Sequence, residues 1–134
     1  MKLAYPAIFT PYEDGRGFVV EVPDLPGCVT GGSSLIEAIE MGVDAASGWI
    51  LDEIEDGKLY PPASNPANLK IPEGSFSSLL VLDMTAYAEK YGRRAVRKNV
   101  TIPAWLDTFA QKNEISLSKV VQDGLLAMAQ SPEK

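Results

Sequence analysis

The sequence predicts an α+β protein in two units: a β-β-β-α-β(-α) domain over residues 1–91 and a β-α-α unit over residues 92–134. Three observations predict it. Short stretches of period-two alternation precede one long helical stripe. A lone alternating strand and two short amphipathic stretches close the chain. The charge also changes sign between the units. Residues 1–92 hold five Lys/Arg against fourteen Asp/Glu, net −9, whereas residues 93–134 hold seven against four, net +3. Such a split points to two surfaces with different partners.

Lys2–Tyr12 (KLAYPAIFTPY) reads as an edge strand, because Pro6 and Pro11 have no N–H to give a ladder. Glu13–Gly17 (EDGRG) carries the Asp-Gly signal of a hairpin turn. Phe18–Val22 (FVVEV) is a second strand, Pro23–Gly27 (PDLPG) a turn, and Cys28–Gly31 begins a third strand. A helix opens at Ser34, where Ser34 and Glu37 match a capping box. Leu35, Ile39, Val43, Ala46, Ile50 and Ile54 then form a stripe expected to pack on the sheet, and Gly57 is its natural stop. Tyr60–Pro72, rich in Pro and Asn, is a loop. Ser78–Asp83 (SLLVLD) suits a buried strand, and Thr85–Tyr91 one or two helical turns.

The C-terminal unit opens with Ala95–Pro103 (AVRKNVTIP), in which Val96, Lys98, Val100 and Ile102 alternate with Arg97, Asn99 and Thr101. Two helical stretches follow, Ala104–Asn113 and Leu117–Gln130. Leu117, Val120, Val121, Gly124, Leu125 and Met128 repeat at core-facing spacing, with Leu106, Phe109 and Ala110 as the matching face and Trp105 at its margin. A lone strand cannot satisfy its own backbone groups, and some forty residues bury too little to stand alone. The simplest repair is a second copy. Two such strands paired antiparallel make a ribbon with a polar outer face that fits a DNA major groove.

Composition narrows the function classes. A hydrophobic content of 46% excludes a disordered chain. No apolar run approaches the roughly 18 residues of a membrane span, and the N-terminus lacks the pattern of a secretory signal, so no membrane partner is expected. Cys28 is the single cysteine and histidine is absent, which removes an internal disulfide, a Cys/His zinc site and any His-dependent triad. Cys28 reads as a small buried thiol in a reducing cytoplasm. No cofactor is implied.

The run Glu21-Val22-Pro23-Asp24-Leu25-Pro26-Gly27-Cys28-Val29-Thr30-Gly31, followed by Ser34-Leu35-Ile36-Glu37-Ala38, resembles the hallmark of HicB-type antitoxins. Gly32-Ser33 departs from that pattern, where many members carry an acidic residue before Ser/Thr, and so does Met41–Ile50, which is less Ala-rich than usual. The resemblance implies a partial RNase-H-like N-terminal domain that has kept the shape without the activity. It also implies a toxin partner, a small HicA-type ribonuclease. The tail is similar to the family members that end in a ribbon-helix-helix. By that resemblance Arg97, Asn99 and Thr101 are the base readers, and the second helix's N-terminus, Ser116, Leu117 and Ser118, meets phosphate. The chemistry suits: Arg pairs bidentately with guanine, Asn with adenine, and Thr meets an acceptor or a thymine methyl. Lys119, Arg93 and Arg94 would add backbone contacts.

The expected function is therefore an antitoxin with two jobs. The acidic domain blocks a basic toxin sterically, with Glu21 and Asp24 beside the hallmark turn as the candidate contacts. The tail binds operator DNA as a homodimer, with a higher oligomer left open. Two alternatives stand beside it. One is a free-standing regulator whose N-terminal domain senses a ligand or drives assembly. The other is a metal nuclease using Glu13, Asp14, Glu21, Asp24 and Asp83; these groups read more simply as solvated turn residues and a helix cap.

Overall fold

The computed structural model describes residues 1–92, 96 and 98–130. The alternation of the first thirty residues folds as β1 (Lys2–Pro11), β2 (Phe18–Glu21) and β3 (Val29–Gly32), joined by tight turns. In the first turn the Gly15 amide donates to the Tyr12 carbonyl at 2.9 Å, the Arg16 amide donates to Asp14 Oδ1 at 2.9 Å, and Gly15 takes a φ of 71°. α1 (Leu35–Glu55) crosses the sheet, β4 (Phe76–Asp83) returns to it, and α2 (Met84–Tyr91) follows at once. A 3₁₀ turn at Pro66–Asn68 interrupts the loop between α1 and β4. α3 (Ala104–Lys112) and α4 (Leu117–Met128) close the chain.

All strands pair antiparallel in the order β3-β2-β1-β4. This corrects two expectations. β1 is central and β4 is an edge. Proline is tolerated in β1 because its ladder with β2 spans Ile8–Pro11 alone, so at Pro6 the strand is paired on one side only, by Leu79 of β4. β4 in turn is not fully buried. Leu80 and Leu82 enter the core, while Leu79 and Val81 are 50% and 57% exposed.

The helix start follows the sequence closely. Ser34 caps α1 by accepting from the Glu37 amide at 3.1 Å. Glu37 reaches back to the Ser33 amide, also 3.1 Å, one residue earlier than a capping box requires. The buried face of α1 differs from the stripe. It is Ala38, Gly42, Ala46, Ser47, Ile50 and Leu51, whereas Leu35 is exposed and Ile39 and Val43 are half-buried. The cause is close approach: a Cβ on Gly42 would lie 3.1 Å from both Leu80 Cδ1 and Val20 Cγ1. Small residues let the helix sit low on the sheet, and the large apolar residues flank the contact line. Tyr5, Phe9, Val20, Leu25, Leu80 and Leu82 fill the core beneath.

The expected strand Ala95–Pro103 has no ladder among its described residues in the single chain. Val96 and Val100 stand exposed. Ala95 and Arg97, together with Arg93 and Arg94, lie outside the described residues.

Candidate partner-binding surfaces

The hallmark turn is built as a closed structural knot. The Cys28 amide donates to the Leu25 carbonyl at 2.9 Å, with Pro26 and Gly27 (φ 80°) as the two corners of a type II turn. The Val22 amide closes the outer loop on the Cys28 carbonyl at 3.0 Å. Leu25 and Cys28 are buried beneath it, and burial pushes the Cys28 thiol up from its ordinary pKa. Two long-range bonds then fix the turn in place. The Trp49 indole N–H on α1 donates to the Pro26 carbonyl at 3.0 Å. Asp24 accepts the Ser64 amide at 2.8 Å and the Ser64 hydroxyl as well, clamping the loop after α1.

The two carboxylates expected at the partner surface thus differ. Asp24 has both oxygens engaged within the chain, whereas Glu21 stands exposed at the end of β2. The five carboxylates of the nuclease alternative are dispersed. Glu13 and Asp14 lie in the first turn, Asp24 holds Ser64, and Asp83 caps α2 by accepting the Ala86 amide at 3.1 Å. Among the described residues no three His, Cys, Asp or Glu side chains converge.

In the C-terminal unit Ser116 caps α4, accepting the Lys119 amide at 3.3 Å. Leu117, Ser118 and Lys119 lie exposed on its first turn, and Asn99 and Thr101 are exposed upstream. The stripe read as core is instead open. Trp105, Phe109 and Met128 are 69%, 56% and 78% exposed, and Val120, Val121 and Leu125 stand open beside them. α4's opposite side is anchored on the N-terminal domain. Leu126 and Ala129 pack against its core, Tyr60 donates its hydroxyl to the Leu126 carbonyl at 3.0 Å, and the Tyr60 amide donates to the Ala129 carbonyl at 3.1 Å. Asp123 accepts from the Met1 amino group at 2.7 Å, which holds its carboxyl below the usual carboxylate range, and from the Thr85 hydroxyl at 3.0 Å.

Residues 5–127 match the family described as the HicB_like antitoxin of bacterial toxin-antitoxin systems. The chain belongs to that family. Among curated relatives, an uncharacterized 14.9 kDa protein from the rep-hol intergenic region of Haemophilus phage HP1 is 32% identical over 104 residues, covering 78% of this chain and 76% of the phage protein. The fold is similar to the Burkholderia pseudomallei antitoxin HicB, with a TM-score of 0.64, 23% identity, and coverage of 92% and 96% of the two chains. It is also similar to a chain of a toxin–antitoxin complex from Streptococcus pneumoniae, with a TM-score of 0.62, 24% identity, and coverage of 96% and 99%.

In this HicB-like chain two anchoring residues escape sequence reasoning. Tyr60 sits at the head of a loop with no periodicity, yet its side chain is fully buried. Trp49 falls off the apparent stripe of α1, and its hydrogen bond crosses 23 residues. No local pattern in the sequence signals either one.

Proposed function

We propose that this HicB-like protein binds and sterically neutralises a HicA-type mRNA-cleaving toxin, and represses its own operon by binding operator DNA as a dimer. The chain performs no chemistry in this reading. It blocks access, as an acidic domain suited to a basic, RNA-attracting partner. The observation that carries the dimeric half is the apolar face of α3 and α4 standing open in a single chain. Apolar side chains on adjoining short helices expose too much surface for an isolated soluble unit, and pairing two copies would cover it. Residues 95–103 of the two copies would form the ribbon, with Arg97, Asn99 and Thr101 on its outer face. Ser116, Leu117, Ser118 and Lys119 would meet the phosphates at the start of α4. Glu21 is kept as a toxin contact. Asp24 would act there by holding the Ser64 loop.

The test is co-expression with a cognate HicA-type toxin, followed by operator binding. Wild type restores growth and the pair co-purifies. Arg97→Ala/Asn99→Ala keeps neutralisation but loses operator preference, each bidentate base pair being worth roughly 1–3 kcal/mol. Absence of a complex together with intact DNA binding would mean a free-standing regulator instead. Equal operator affinity in wild type and double mutant would remove the assignment of the base readers.

A further inference from the structure

α1 and α2 meet at Tyr87 and Gly48 but leave a gap beside that contact. Between them, and against the open edge of β4, lies a groove of about 510 Å³. Its floor is apolar, from Ile39 and Val43 of α1, and Val81 of the edge strand β4 borders it. One wall carries Tyr87 and Tyr91, whose ring centroids lie 4.7 Å apart. Three carboxylates, Glu40, Asp44 and Asp83, and one cation, Lys90, complete its lining, so its charged groups are net negative. A second depression, of about 360 Å³, continues from it and shares Asp44 and Tyr87 as walls, adding Trp49 and Asp52.

Ile39 and Val43 belong to the stripe that periodicity assigns to the core, yet here they line an open surface. Apolar floor, aromatic wall and carboxylate rim together describe a receptor for a side chain with an aliphatic stem and a cationic head. The groove already shows this chemistry within the chain, since Lys90 Nζ lies 5.2 Å from the centroid of the Tyr91 ring. Burial, then the neighbouring Asp44 carboxylate, Tyr91 and the Asp52 carboxylate, raise the pKa of the Tyr87 hydroxyl. That hydroxyl would lie 3.1 Å from a Cβ on Gly48, so the absent side chain at Gly48 is what lets Tyr87 lie against α1.

We propose that the groove between α1 and α2 is where the toxin docks, taking an arginine side chain of a basic toxin surface over Tyr87 and Tyr91 with Asp44 as its counter-ion. The inference rests on the antitoxin reading above and names the surface through which it acts. Arginine fits better than lysine, because its planar guanidinium stacks on a tyrosine face while engaging a carboxylate through two parallel N–H groups. The occupant is a partner rather than a second copy on grounds of charge. The N-terminal domain is strongly acidic, so two copies meeting at this rim would set Glu40, Asp44 and Asp83 against their own kind.

The experiment titrates the full chain with a catalytically silenced form of its cognate HicA-type toxin. Wild type is compared with Asp44→Lys, Asp44→Asn and, as a charge-matched control in the first turn, Glu13→Lys. Asp44 and Glu13 are both exposed, so the folds are expected to persist, and melting curves check this. Asp44→Lys should weaken toxin binding roughly ten- to a hundred-fold, Asp44→Asn less, and Glu13→Lys by under about threefold. If wild type binds and Asp44→Lys weakens binding no more than Glu13→Lys, the groove assignment falls while the antitoxin reading stands. If wild type binds no toxin, both fall. If Asp44→Lys changes the oligomeric mass but not toxin affinity, the groove belongs to another copy of the chain and the proposal is overturned.

Discussion

Gly32 ends β3 directly beneath the first turn of α1, and Gly32→Ala there should be among the most damaging single-methyl changes in the chain. An added Cβ would lie 2.4 Å from the Ala38 nitrogen, 2.7 Å from its Cα and 2.7 Å from the Glu37 carbonyl carbon. All three are backbone atoms, so no rotamer change relieves the overlap. The start of α1 must lift by about 1 Å to restore ordinary contact distances near 3.5 Å. Overpacking of this kind costs typically 1–3 kcal/mol, and rigid neighbours place it at the upper end. Lifting the first turn also strains the Ser34 cap, which is worth about 1 kcal/mol. The expected loss is therefore about 3–4 kcal/mol, a large share of the roughly 5–15 kcal/mol that holds such a domain together. Urea unfolding followed by tryptophan fluorescence reads this as a lower midpoint at unchanged slope. A loss below about 1 kcal/mol would show that β3 and α1 are not packed as described.

Three further outcomes follow from the same contacts. Tyr60→Phe removes the hydrogen bond to the Leu126 carbonyl and should weaken the anchoring of α4 by about 1 kcal/mol, seen as faster amide exchange near residue 126 without global unfolding; unchanged exchange would contradict it. Leu25→Ala empties a fully buried position under the hallmark turn and should cost about 2–5 kcal/mol in the same urea assay, whereas a loss near zero would mean the turn is not packed. Stability should also fall in alkali. Burial raises the pKa of Tyr5, Tyr60 and Tyr87 in the folded state, so their contribution is complete below the unfolded value near 10 and is lost as pH rises from there toward the folded values. A urea midpoint that stays level between pH 9 and pH 11 would contradict this.

Element order was legible because each signal was local: Asp14-Gly15 turned the hairpin, Ser34 capped α1, and Asp83 capped α2. What failed was long-range. The prolines made β1 look like an edge, although a strand paired on one side at Pro6 can still be central at Ile8–Pro11. Periodicity follows bulk, so it places Ala46 and Ile50 on the sheet correctly but sends Ile39 and Val43 there too, where they sit half-buried at the margin, and it misses the small residues Ala38 and Gly42. The same bias hid the groove, whose floor is made of residues that look like core. The hallmark turn was legible as a motif but not as a mechanism: Asp24 and Pro26 are held by Ser64 and Trp49, partners no local pattern announces. The stripe of α4 reads as core but stands open in one chain, and that exposure is what a second copy is invoked to resolve.

Light scattering on the full-length protein at micromolar concentration, beside Leu125→Lys, weighs that pairing most directly. Leu125 is exposed in the single chain, so the lysine is harmless to a monomer and ruinous to a paired helix face. Wild type should run at twice 14.5 kDa or an even multiple of it, and Leu125→Lys should shift the mass downward. A wild-type mass of 14.5 kDa, unchanged by the substitution, would contradict the dimer and with it the DNA-reading ribbon.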